Sequence, residues 1–178
     1  PIKGALPIAI MAKEEGFKGF ILPEANAKEA AVVKDLEVIG VSKITEVVDF
    51  LEGNLELTPT TLNLEEEIHD LNKDFDLDFS DVKGQEQVKR AMEIAAAGGH
   101  NIALIGPPGA GKSMLAKRLP TILPPLSLSE ALETTKIHSV SGIMPKGMSL
   151  LQKRPFRSPH HTISDIALVG GGSYPQPG

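Results

Sequence analysis

The eight residues Gly106-Pro-Pro-Gly-Ala-Gly-Lys112-Ser113 constrain this chain more than any other part of it. They fit the pattern G-x-x-x-x-G-K-[ST], in which a short loop wraps phosphate between a buried strand and a helix. The apolar run Asn101–Ile105 (NIALI) stands directly before the loop and predicts the strand. Met114–Leu119 stands directly after it and predicts the helix. Gly106, Gly109 and Gly111 give the backbone the freedom to turn its N–H groups towards phosphate oxygens, with Pro107, Pro108 and Ala110 between them. Lys112 is placed to meet the β and γ phosphates as a point charge, and Ser113 to bind Mg²⁺ through its hydroxyl. Met114 follows them, and by position its backbone N–H joins the donors facing the phosphates. The expected cofactors are therefore ATP and Mg²⁺. The four fixed positions arise by chance roughly once in a couple of hundred chains of this length.

Around this motif the chain divides into three parts. Residues 1–56 alternate short helical and extended patterns: a helix from Pro7 to Glu15, a strand over Phe17–Leu22, a helix over Ala27–Lys34 and a strand over Leu36–Val41. A last amphipathic helix follows, with Ser42 as its expected N-cap and Ile44, Val47, Val48 and Leu51 on one face. Residues 57–80 break this rhythm with TPTT and then turn acidic (LEEEIHDLNKDFDLDFS), the composition of a solvated linker. Residues 81–178 hold the loop. They begin with a predicted helix over Val82–Ala97 whose apolar face is Val88, Met92 and Ala95/Ala96 and which Gly98 and Gly99 end. Ser127-Leu-Ser-Glu130 fits a capping box that opens another helix, running to about His138. The overall reading is α/β.

The bulk properties bound the function. No apolar run reaches the ~18 residues of a membrane span, so no membrane partner is expected. The N-terminal apolar stretch is interrupted by Pro7 and followed by Lys13, Glu14 and Glu15, unlike a secretory signal. The chain has no cysteine, which excludes disulfides and thiolate metal sites and is compatible with a cytoplasmic protein. A net charge of −5 leaves no broadly basic surface, although a local patch can still meet nucleic acid. The chain starts at Pro1 and stops in GGGSYPQPG, which reads as a piece of a longer protein.

Hydrolysis needs acidic residues at the end of an apolar strand to hold Mg²⁺ and orient water. Downstream of Ser113 the acids are Glu130, Glu133 and Asp165. The first two fall in a predicted helix, and Asp165 precedes an apolar run rather than ending one. The segment alone is therefore expected to bind nucleotide with little turnover.

Longer stretches then carry a resemblance. DFSDVKGQEQVKRAMEIAAAGGHNIALIGPPGAGKSMLAKRLPTILPPL resembles the opening of the AAA+ core in the ComM/magnesium-chelatase-like ATPases. RPFRSPHHTISDIALVGGGSYPQPG resembles the stretch these proteins place before their Walker B strand. The segment KGALPIAIMAKEEGFKGFILPEANAKEAAVVKDLEVIGVSKITEVVDFLEG resembles the end of a Lon-protease-like domain. The resemblance implies the C-terminal part of a Lon-like α/β domain, a linker, and the first part of a AAA+ P-loop sheet that stops before Walker B. In the corresponding Lon stretch the catalytic lysine falls near Ile8, which cannot act as a base, so peptidase activity is not expected. The family implies rings, hexameric for the parent, that hydrolyse ATP between subunits. ComM-like members act on DNA, and magnesium-chelatase members drive metal insertion into a porphyrin. A non-hydrolysing nucleotide-binding piece is the third reading. Half a sheet also leaves an open strand edge, which predicts self-association.

Val82 and Gly84 sit where AAA+ proteins often touch adenine, or alternatively are ordinary packing at a helix entry. Arg154, Arg157, His160 and His161 cluster in RPFRSPHH as a DNA or inter-subunit contact, or as a hydrogen-bonded structural loop.

Overall fold

The computed structural model describes residues 1–63, 77–145, 147–160 and 162–173. It combines helices with a two-stranded parallel sheet and forms two compact units, 1–69 with 127–152 and 159–178, and 70–126 with 153–158. The acidic heart of the expected linker lies outside the described residues.

In the first unit, α1 (Ala5–Glu14) leads to β1 (Gly19–Pro23), α2 (Glu24–Ala30), β2 (Glu37–Val41) and α3 (Ile44–Leu51). The strands pair in parallel, from Gly19 opposite Glu37 to Pro23 opposite Val41, with α2 as the crossover. Gly40 lets α2 come close to β2: a Cβ at this position would lie 2.8 Å from the Ala27 Cβ. The core under this layer is small-residue rich, with Ala5, Ala9, Ala27 and Ala30 around Leu22, Leu36 and Val38. A second cluster joins Leu6, Val32 and Leu150, and Leu62 packs on it. The start of the expected linker is thus docked, and Thr60 N–H also donates to the Val38 carbonyl at 2.8 Å.

The unit is completed by α6 (Leu128–Ser141) and α7 (Asp165–Val169). The expected capping box is formed: Ser127 Oγ accepts from Glu130 N–H, and the Glu130 carboxylate accepts from Ser127 N–H. The Glu29 carboxylate, 5% exposed, ties three segments together. It accepts from Leu6 N–H at 3.1 Å, from Asn26 Nδ2 at 3.2 Å and from the Ser139 hydroxyl.

Two expectations for this unit change. Ser42 is not the cap of α3; its hydroxyl donates to Glu24, and Lys43 occupies the N-cap position. Glu46 supplies the acceptor instead, taking the N–H groups of Ser42 and Lys43. The apolar face of α3 is also not buried: Ile44 is 77% exposed and Leu51 72%.

In the second unit a 3₁₀ turn (Phe79–Asp81) leads to α4 (Glu86–Gly98), then to α5 (Lys112–Arg118) and a 3₁₀ turn (Leu119–Ile122). Phe79, Val82, Met92 and Leu115 form the core, with Val88, Leu104, Leu119 and Ile122 against it. The expected apolar face of α4 is the buried one. The helix begins four residues later than the apolar pattern, because Gly84 and Gln85 both take left-handed backbone angles, φ 68° and 56°. The predicted strand over 101–105 is not formed. Among the described residues nothing pairs with it, Ile105 is 97% exposed, and only Leu104 reaches the core. A parallel strand exists only with neighbours to share its N–H and C=O groups.

Candidate functional site: the glycine-rich loop

The loop spans from the extended segment to the first turn of α5. Gly109 and Gly111 take φ angles of 79° and 81°, which a side chain would strain. At Gly111 a Cβ would also lie 3.3 Å from the Met114 Cε. Ala110 N–H closes a turn on the Pro107 carbonyl at 3.3 Å. Lys112 then folds back over the loop. Its ammonium donates to the carbonyls of Gly106 at 2.7 Å and Pro107 at 2.6 Å, which fixes a positive charge inside the curve.

The donor set suits phosphate. Lys112, Ser113 and Met114 are the first three residues of α5, so their backbone N–H groups have no intrahelical acceptor. They point away from the helix body beside a lysine charge, as an anion requires. Ser113 is exposed and offers one hydroxyl to Mg²⁺, whose other ligands would be phosphate oxygens and water.

Two clefts flank the loop. One, about 460 Å³, lies between the start of α4 (Gln85, Val88, Ala91), the extended segment and loop residues Gly106, Pro107 and Lys112. Its volume is within the range of small-molecule sites. The other, about 340 Å³, is lined by Ser113, Ala116, Leu119 and Phe156. Among the described residues, neither is lined by an acidic side chain. Glu130 is engaged in its capping box, and Asp165 stands in the first turn of α7. The arrangement offers an anion a lysine charge beside open backbone N–H groups.

The structure gathers Gly106 to Met114 into one loop and does not bring Val82 to it. Val82 is 3% exposed and packs in the core, while Gly84 is exposed at the turn before α4. The residue that reaches the cleft from this turn is Gln85, which sequence reasoning passed over. Its position after Gly84, in a turn that must precede the helix, was the available signal. Phe156 was passed over as well, hidden within the Arg and His residues of RPFRSPHH. Arg154 in that segment donates to the Pro124 carbonyl at 2.8 Å, and His160 Nδ1 lies 2.8 Å from the Thr162 hydroxyl. His161 lies outside the described residues.

Comparison with known proteins places this loop in its family. The sequence model of the family described as magnesium chelatase, subunit ChlI, matches residues 78–178. The chain belongs to the magnesium-chelatase family. It is similar to the competence protein ComM of Haemophilus influenzae, with 40% identity over 179 residues, covering 99% of this chain and 34% of ComM. It is also 41% identical over 180 residues to YifB of Escherichia coli, with the same coverage. An uncharacterised protein of Mycobacterium tuberculosis shares 42% identity over 173 residues, 97% of this chain and 33% of its own length. The chain thus spans about a third of the length of these relatives. Among the described residues no helix is long and apolar enough to cross a membrane.

Proposed function

We propose that this segment is the nucleotide-binding part of a cytoplasmic, ComM-like AAA+ motor that uses ATP to remodel DNA strands. In this reading residues 1–56 end a Lon-like domain, 57–80 link it to the core, and 81–178 open the AAA+ domain. ATP and Mg²⁺ bind at Gly106–Met114, Gln85 after the Gly84 turn lines the cleft that takes the base, and rings of the parent protein supply the rest of the catalytic machinery. The observation that carries the proposal is the Lys112 ammonium held over the loop by the Gly106 and Pro107 carbonyls, beside the open N–H groups of the first turn of α5.

The DNA reading is favoured over a chelatase one by coverage. ComM and YifB match nearly the whole chain, whereas the chelatase family model begins at residue 78 and leaves residues 1–77 unmatched. The test is ATP turnover by the full-length parent protein with and without DNA. The proposal expects DNA to raise turnover several-fold and Lys112→Ala to abolish it. Stimulation by a porphyrin-carrying partner protein and not by DNA would favour the chelatase motor. Turnover in neither setting would leave a nucleotide-binding module and reject the motor.

A further inference from the structure

Charge is distributed unevenly along this acidic chain. Residues 134–164 contain five Lys or Arg and not one Asp or Glu, although the whole chain carries 23 acidic residues. Within this stretch, residues 153–158 (KRPFRS) belong to the same unit as the glycine-rich loop. They have no regular secondary structure and present an extended basic ribbon. Arg154 fastens the ribbon, donating from Nε to the Pro124 carbonyl at 2.8 Å and from Nη2 to the Pro125 carbonyl at 3.5 Å. Arg157 is exposed and has no hydrogen-bond or ion-pair partner among the described residues. Phe156 between them is 42% exposed, with its other side in the cleft beside Ser113, Ala116 and Leu119.

We propose that residues 153–157 form a binding element for single-stranded nucleic acid, with Arg157 on the phosphate backbone and Phe156 stacking on a base. The chemistry is that of a strand-binding groove: cations that follow the backbone, and an aromatic face for an unpaired base. A duplex keeps its bases stacked and has no use for the aromatic ring. Of the six Phe residues, Phe156 is the one inside the acid-free stretch. Its contact beside Ser113 and Ala116 of α5 would put the strand element against the helix that carries the phosphate loop. A change at the nucleotide would then be felt at the strand. The choice of nucleic acid as the anion rests on the DNA-remodelling reading above; the binding element itself stands on charge and exposure.

The test is fluorescence anisotropy of a labelled 20-mer of deoxythymidine with the 178-residue chain, at 50 and 200 mM salt. Mg-ATP binding is measured in parallel on the same samples. Arg157→Ala is expected to weaken oligonucleotide binding about fivefold to tenfold and to flatten its salt dependence. Phe156→Leu keeps the apolar volume of the cleft but removes the stacking face, and is expected to weaken binding by roughly tenfold. Lys28→Ala on α2, outside the acid-free stretch, should change nothing. ATP binding should be unaffected in Arg157→Ala and Lys28→Ala, so a failure of strand binding and a failure of the nucleotide site are read separately. No binding of the oligonucleotide by the unaltered chain, or wild-type affinity in both Arg157→Ala and Phe156→Leu, overturns the proposal. So does equal binding of duplex and single strand that Phe156→Leu leaves untouched.

Discussion

At the residue scale, a few side chains hold disproportionate responsibility. Glu29 is the clearest. Its buried carboxylate satisfies Leu6 N–H at the start of α1, together with Asn26 and Ser139. Glu29→Ala leaves the Leu6 N–H and the Ser139 hydroxyl without this acceptor, at about 1–3 kcal/mol each, while Asn26 Nδ2 keeps the Ile2 carbonyl. The urea midpoint should fall markedly, and Glu29→Gln, which keeps one acceptor, should fall less. Gly111→Ala is expected to cost roughly 1 kcal/mol or more from its left-handed backbone alone, read in the same unfolding experiment. Asp78 contributes a pH dependence. Hydrogen bonds from the Ser80 hydroxyl and backbone N–H, with help from Arg118, hold its carboxyl below the usual range. Because the folded value is the lower one, this contribution is complete above about pH 4 and is lost as the pH falls through the folded value. In acid titration the stability gap between the unaltered chain and Asp78→Asn should therefore be present above about pH 4 and close at the acid end.

At the element scale, the sequence was legible wherever an element is closed by its own residues. The capping box at Ser127 and Glu130, the buried face of α4 and the strand segments of β1 and β2 all follow from local patterns. It misled where an element depends on neighbours. NIALI has the composition of a buried strand, yet its N–H and C=O groups find no ladder among the described residues. The apolar stripe of α3 reads as core and lies exposed for the same reason: amphipathic spacing shows which residues prefer burial, not what covers them. The unpaired 101–105 segment predicts association. Ile105→Glu, at a position 97% exposed, should leave thermal stability unchanged and reduce self-association in sedimentation velocity. An unchanged sedimentation profile would place the sticky surface elsewhere.

At the scale of the whole molecule, the site was the most legible part, because the phosphate loop is local. Glycines, lysine and serine are consecutive, so no tertiary knowledge was needed to assemble Gly106–Met114. Val82 shows the limit. Its place in the sequence left open a base contact or ordinary packing at a helix entry, and its side chain packs in the core with Phe79, Met92 and Leu115. Gln85 and Phe156 entered the picture only through the clefts they line. The long-range packing was less legible still: the sequence reading parts the chain at 56/57 and 80/81, and nothing in it places Ser139 of α6 against Glu29 of α2. Such pairing over a hundred residues apart, as between Glu29 and Ser139, leaves no local trace. The motor role proposed for this molecule requires that the loop closed by Lys112 bind nucleotide. Calorimetric titration of the chain and of Lys112→Ala with Mg-ATP addresses it directly. Saturable binding by the chain, lost in Lys112→Ala while the variant remains folded, is the predicted result. Equal binding by both proteins, or binding by neither, would contradict it.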